Sequence, residues 1–222
     1  MIENGVVTRE DVFLQTKFTH RGGQDDRLPY DPKAQLSQQV EQSFNSSLEH
    51  LQVDVVDSYV LHGPTSRDRL ARADWETWRA MEALQDQGRT RFLGVSNVTF
   101  EQLRELCVGA RIPPRFVQNR CYGSRGWDRC VRTYCVAEGI LYQGFSLLTA
   151  NVPVLKHPDV LAIAQRHGRA VSQVVFRFAL DVGMLALTGT RNEDHMCLDL
   201  AVFDFQLDRG EVEMIENLAG NG

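Results

Sequence analysis

Short runs of β-forming residues alternate with helix-patterned stretches along this whole sequence, and that alternation limits the folds open to it more than any other feature. Val12–Phe18 (VFLQTKF) follows the charged Arg9-Glu10-Asp11 and predicts a strand. Asp31 and Pro32 predict an N-cap and first-turn proline for a helix with Leu36, Val40, Phe44, Leu48 and Leu51 on one stripe. Val55–Leu61 predicts a second strand. Asp74 then caps a helix whose Trp75, Trp78, Met81 and Leu84 share a face, and Gly88 ends it. Arg91–Val95 reads as a third strand, with a Thr99/Gln102 capping box ahead of Leu103 and Leu106.

The unit then recurs. Phe116–Gln118 precedes a helix over 128–138, and Ile140–Phe145 precedes a longer helical region running to about Val182. Leu185–Leu187 precedes short helical turns, and Asp208 with Glu211 opens a last helix carrying Val212, Ile215 and Leu218. About six βα units in one domain over 1–222 imply an α/β fold with a parallel sheet covered by helices. A closed barrel of eight units and a doubly wound open sheet are both compatible with the periodicity. Neither GxGxxG nor GxxxxGK[ST] follows the first strand, so the open sheet lacks its usual nucleotide-binding signature.

Composition narrows the classes further. With 222 residues, 43% hydrophobic and 24% charged, the chain has the balance of a folded domain rather than a disordered one. Lys and Arg number 24 against 29 Asp and Glu, a net charge of −5, which leaves no positive field for nucleic acid or an anionic membrane. The most apolar stretch, Val171–Leu187, is interrupted by Arg177 and Asp181 and does not read as a membrane span. The opening MIENGVVTRED lacks the basic-then-apolar profile of a secretion signal. Cys107, Cys121, Cys130, Cys135 and Cys197 show no metal-ligand spacing and read as reduced thiols of a cytoplasmic protein, with no metal site.

In a parallel-strand domain the chemistry sits at the C-terminal strand ends. Those ends carry, in order, Lys17, His62, Ser96-Asn97, Gln118, Phe145-Ser146 and Gly189-Thr190. Taken singly, a strand-end lysine is ordinarily a solvated charge, a lone histidine is ordinarily packing, and Ser-Asn is ordinarily turn chemistry. Taken together, a cation, an imidazole, small polar groups and an aromatic ring form a set that can polarise a carbonyl and hold a flat cofactor.

In their order and wording these motifs resemble the aldo-keto reductases. The resemblance is carried by REDVFLQTKFT, VDSYVLHGP, WETWRAMEALQDQGRTRFLGVSN, RFVQNRCY, GILYQGFSLL and LAVFDFQL, and runs from about Arg9 to Leu218. It implies a (β/α)8 barrel of TIM type, incomplete, with about six units and the first two missing. It also implies NADPH, with NADH as the alternative, as hydride donor for reversible reduction of a small aldehyde or ketone. Under it, Lys17 matches the lysine that lowers the pKa of a catalytic tyrosine, and His62 matches the histidine that orients the substrate carbonyl. Ser96, Asn97 and Gln118 match residues that bind the nicotinamide carboxamide. Phe145 stands where a tyrosine stacks on the nicotinamide.

Ser146 and Leu148 match the pyrophosphate-side loop, and Thr190, Asn192, His195 and Asp199 match the adenosine-phosphate segment. Gly189 and His195 stand where many members carry a lysine and an arginine, which removes two fixed charges from that segment. In the family, the tyrosine and an aspartate that pairs with the lysine come from two units ahead of the strand ending in Lys17. None of Tyr30, Tyr59, Tyr122, Tyr134 and Tyr142 falls at a matched catalytic position. Three expectations follow: a reductase by descent, a noncatalytic nucleotide-binding or protein-interaction descendant, or an unrelated six-stranded α/β domain. Open barrel edges add an expectation of self-association.

Overall fold

In a computed structural model that describes residues 5–218, six parallel strands alternate with helices, and the chain divides into two compact units, one up to Val117 and one from Gln118. In the first unit, β1 (Gln15–Phe18), β2 (Val56–Leu61) and β3 (Thr90–Ser96) lie side by side, with α1 (Leu36–Leu51), α2 (Arg72–Asp86) and α3 (Phe100–Gly109) between and after them. The start of β4 (Phe116–Arg120) follows β3, the Arg115 amide donating to the Leu93 carbonyl at 2.8 Å.

Period two sorts the side chains of β1 and β2. Thr16 and Phe18 turn toward α1, where the Thr16 and Ser47 hydroxyls lie 2.9 Å apart and Phe18 is fully buried. Tyr59 shares that face: its ring meets Phe44 edge-on at 4.7 Å and its hydroxyl donates to the Val40 carbonyl. The opposite face carries Gln15, Lys17 and Thr19 beside Ser58, Val60 and His62, with Gln15 Nε2 donating to Ser58 Oγ at 3.1 Å. Phe13, within the run expected as a strand, is half exposed and meets the Phe116 ring edge-on at 5.3 Å, because regular pairing begins at Gln15 rather than Val12.

The second unit holds the end of β4, α4 (Arg129–Ala137), β5 (Leu141–Phe145), α5 (Val152–Leu155), α6 (Pro158–His167), α7 (Val171–Asp181), β6 (Leu185–Ala186), α8 (Glu193–Leu200) and α9 (Arg209–Glu216). β5 and β6 pair in register Gln143 with Leu185 and Gly144 with Ala186. Its core centres on Trp127, fully buried against Phe178, whose indole N–H donates to the Ile215 carbonyl at 3.0 Å. Arg132, also buried, donates to the Trp127 and Val182 carbonyls and pairs with Glu216.

Three helix boundaries differ from the sequence expectation. Asp31 does not cap α1, because its carboxylate accepts from the Lys33 amide in a turn and Gln35 holds the cap position. Asp74 lies three residues inside α2, whose cap is Ala71. The stretch expected as one helical region to Val182 is three helices, broken where Pro158 opens α6 and Gly168 closes it in a left-handed conformation.

Gly94 sits where β3 is closely hemmed in by its neighbours. A Cβ there would lie 3.0 Å from both the Phe116 carbonyl oxygen and Val60 Cγ2, and 3.1 Å from Phe116 Cβ. Gly94→Ala is expected to lower stability by about 1–3 kcal/mol through overpacking against a backbone that cannot yield. Urea denaturation checks this, with Gly88→Asn, at an uncrowded left-handed turn, as the mild control.

Candidate functional site

The polar face of the first unit gathers four of the expected residues. Register pairs Lys17 with Val60 and Phe18 with Leu61, and the His62 amide donates to the Phe18 carbonyl at 2.8 Å, so Lys17 and His62 emerge from adjacent strand ends on one face. Among the described residues no carboxylate lies within ion-pair distance of the Lys17 ammonium, and partial burial lowers its pKa. Partial desolvation, followed by repulsion from Lys17, holds the His62 imidazole below its ordinary range. The face therefore presents a cation and a neutral imidazole together.

Ser96 and Asn97 follow on β3. Ser96 is buried, and Asn97 adopts a left-handed backbone (φ 54°) that turns its amide back over the strand ends. Asn97 Nδ2 donates to the His62 carbonyl at 2.8 Å and lies 3.1 Å from Ser96 Oγ. The ring of His62 is held separately: its Nδ1 lies 3.1 Å from Thr19 Oγ1.

A residue expected only as a helix cap organises both loops. Asp74, buried at the start of α2, accepts from the Thr65 amide at 2.8 Å, the Thr65 hydroxyl at 3.1 Å and the Ala71 amide at 2.8 Å, and it faces His20 Nε2 at 3.4 Å. One carboxylate thus closes the first turn of α2, fixes the loop after His62 and restrains the loop after β1. In the sequence it reads as the N-cap of the helix, whereas it sits at the third helical position and closes a capping box onto Ala71; the long-range partners had no sequence signal. Burial would raise its pKa, but the facing His20 ring and the hydrogen bonds from Ala71 and Thr65 outweigh that and lower it.

Tyr30, on the loop ahead of α1, is buried against Phe18, and its hydroxyl donates to the Thr19 carbonyl at 2.9 Å. It is a strut for the Thr19 backbone.

The second unit carries the remaining expected residues. Gln118 is buried on β4 and its Nε2 donates to Gln143 Oε1 at 3.0 Å. Phe145 and Ser146 end β5, Ser146 in a left-handed conformation (φ 57°), and Leu148 lies partly buried two residues on. Beyond β6, Thr190 Oγ1 accepts from the Asn192 amide, and Asn192 Oδ1 caps α8 by accepting from the His195 amide, each at 3.1 Å. The His195 residue is exposed, and Asp199 accepts from the Thr188 hydroxyl at 2.8 Å.

The chain belongs to the aldo/keto reductase family, whose model matches residues 1–152. It is 28% identical over 221 residues to the uncharacterized oxidoreductase YtbE of Bacillus subtilis, covering 99% of this chain and 72% of that protein. It is 32% identical over 211 residues to aldo-keto reductase family 4 member C11 of Arabidopsis thaliana, covering 87% of this chain and 62% of that one. Glyoxal reductase of Bacillus subtilis is 29% identical over 218 residues, with 98% and 72% covered.

Among solved structures, an aldo-keto reductase from a deep-sea metagenome superposes on the whole chain with a TM-score of 0.83 at 23% identity, over 76% of its own length. A Bombyx mori aldo-keto reductase in complex with NADP superposes on 97% of this chain with a TM-score of 0.80 at 26% identity, over 70% of its own length. The chain thus spans roughly two thirds to three quarters of the relatives it matches. No helix among the described residues is long and apolar enough to cross a membrane.

Asp74 generates a pH expectation. Its folded pKa lies below the unfolded value of about 3.9, so its contribution is complete above that pH and is lost as pH falls through the folded value. Stability of the parent chain should therefore fall more steeply below about pH 4 than that of Asp74→Asn. Asp74→Ala is expected to lose about 1–3 kcal/mol at pH 7 by stranding buried donors, measured by urea denaturation.

Proposed function

We propose that this chain carries the carbonyl-activating and cofactor-binding residues of an NAD(P)H-dependent aldehyde or ketone reductase. The observation that carries the reading is the Lys17 ammonium, without a carboxylate partner among the described residues, on the same face as the neutral His62 imidazole. A carbonyl oxygen that gains negative charge is stabilised by a cation and an N–H donor aimed at it. His62 donates through Nε2, which has no hydrogen-bond partner among the described residues, and Lys17 supplies the charge.

The residues fit a nicotinamide dinucleotide in two places. In the first unit, Ser96 and the turned-back Asn97 offer hydroxyl and amide groups suited to a carboxamide. In the second, the aromatic ring of Phe145 and the left-handed Ser146 turn suit a flat ring and a phosphate loop, and Gly189 leaves open space where a Cβ would stand. Thr190, Asn192, His195 and Asp199 line the adenosine-side segment of this proposal, with Gln118 on the nicotinamide side and Ser146 and Leu148 on the pyrophosphate side. When bound, the cofactor supplies the hydride. NADPH is proposed, in keeping with the Bombyx mori relative solved with NADP, and NADH is the alternative to be tested, since Gly189 and His195 bring no fixed positive charge to this segment.

Reduction also needs a proton. Three of the five tyrosine hydroxyls are already committed, Tyr30 to the Thr19 carbonyl, Tyr59 to the Val40 carbonyl and Tyr142 to the Asp128 carboxylate. The ring of Tyr122 lies against the Arg120 and Arg125 guanidinium groups, and Tyr134 sits on α4. This commitment of hydroxyls favours a second reading, in which residues 1–222 bind nucleotide without turnover.

Thermal unfolding with NADPH and with NADH tests the first half. At a hundredfold excess over Kd, binding stabilises by about 2.7 kcal/mol, which for a domain of this size raises Tm by roughly 5–10 °C. No shift with either nucleotide in a folded sample would overturn the proposal. The 222-residue chain should reduce an aromatic aldehyde at least 10²-fold more slowly than a longer family member, because general acid catalysis typically contributes about 10²–10⁴-fold. Fusing the two N-terminal βα units of a longer relative ahead of residue 1 is expected to raise turnover, and Lys17→Met or His62→Gln should then lower it.

A further inference from the structure

We propose that Thr19 is a positioning residue that holds His62 as its Nε2–H tautomer. The proposal rests on the reading above that His62 faces a carbonyl oxygen. A neutral imidazole carries one N–H, and only the Nε2–H form can donate to that oxygen from the ring edge away from Thr19.

The geometry assigns the choice to one contact. Thr19 Oγ1 lies 3.1 Å from His62 Nδ1, and no other hydrogen bond of the Thr19 hydroxyl exists among the described residues. If the hydroxyl donates, its proton and the Nδ1 lone pair are both satisfied, and the ring proton sits on Nε2. If instead Nδ1–H donates, the hydroxyl proton lacks an acceptor among the described residues and Nε2 faces the carbonyl with a lone pair, which repels it.

Both partners are held in place from behind. The Thr19 carbonyl accepts from Tyr30, the His62 amide donates to the Phe18 carbonyl, and the His62 carbonyl accepts from Asn97. Asp74 faces His20 on one side of the pair and holds Thr65 on the other. Lys17 is the charged group facing the ring; it disfavours the imidazolium and so keeps the tautomer question open at neutral pH. Thr19 itself continues the period-two face of Gln15 and Lys17, so its hydroxyl reaches His62 because of strand register.

The test is the nitrogen NMR spectrum of the 222-residue chain with labelled histidine, with His62 assigned by its loss in His62→Gln. The parent should show His62 as a single neutral Nε2–H tautomer. Thr19→Val, nearly isosteric without the hydroxyl, should lose that single form and show tautomer exchange, while Thr19→Ser should retain it. The other five imidazoles report the fold, so a general loss of structure is distinguishable from the local effect. An Nδ1–H signature in the parent, or a Thr19→Val spectrum identical to it, would overturn the inference. The readout needs no turnover: nucleotide binding could fail with the tautomer result intact, which would sink the reductase reading and leave Thr19 as assigned.

Discussion

The register of β1 against β2 is the constraint on which the polar face depends. Phe18 opposite Leu61 places Lys17, Thr19 and His62 on one side and leaves Phe18, Tyr59 and Leu61 buried on the other. A slip of one residue would carry Phe18 to the polar face and Lys17 into the packing under α1. Each large apolar side chain so exposed costs about 1.5–3 kcal/mol, before the burial of an ammonium is counted. The hydrophobic contacts of Phe18, Phe44 and Tyr59 therefore position functional groups that they never touch.

Loop geometry is settled by a different class of force. Both loops after β1 and β2 converge on Asp74, the second through hydrogen bonds from Thr65 to the buried carboxylate and the first through the facing His20 ring. Such bonds are short-ranged and directional, so they specify position more sharply than apolar burial does. Asn97 adds a second directional restraint, and its left-handed backbone is one that asparagine tolerates better than most residues. The packed sheet sets which face a residue occupies, and these bonds then set the strand-end backbone on that face.

Much of this was legible in the sequence, for identifiable reasons. Strand and helix alternation survives because period two and period 3.6 are imposed by burial, as at Tyr59 and Val40. The capping boxes at Thr99/Gln102 and Asp208/Glu211 were readable because both partners lie within one turn. Asp31 was misleading because an aspartate that closes a turn on Lys33 looks, in sequence, like one that caps a helix. The broken helical region before Val182 carried its own signals in Pro158 and Gly168, which the apolar run obscured. The Asp74 clamp was not legible, since nothing in a linear sequence ties it to His20 or Thr65.

The electrostatics of the polar face also limit what it can do. Partial burial, and then Lys17, depress the His62 pKa, so at neutral pH the two groups divide their roles as one charge and one uncharged donor. A neutral imidazole can hydrogen-bond to a developing alkoxide, yet it is a poor source of the proton that completes reduction, because losing Nε2–H would leave an imidazolate. Raising the His62 pKa would mean exposing a ring whose partial burial is the larger cause of its depression, or removing the Lys17 charge, which under the proposed reading stabilises the alkoxide. Carbonyl polarisation and proton delivery therefore conflict within this pair. Under the proposed reductase reading the proton must come from a third group, and the phenol that the family resemblance implies suits that role because a nearby cation favours its ionised form.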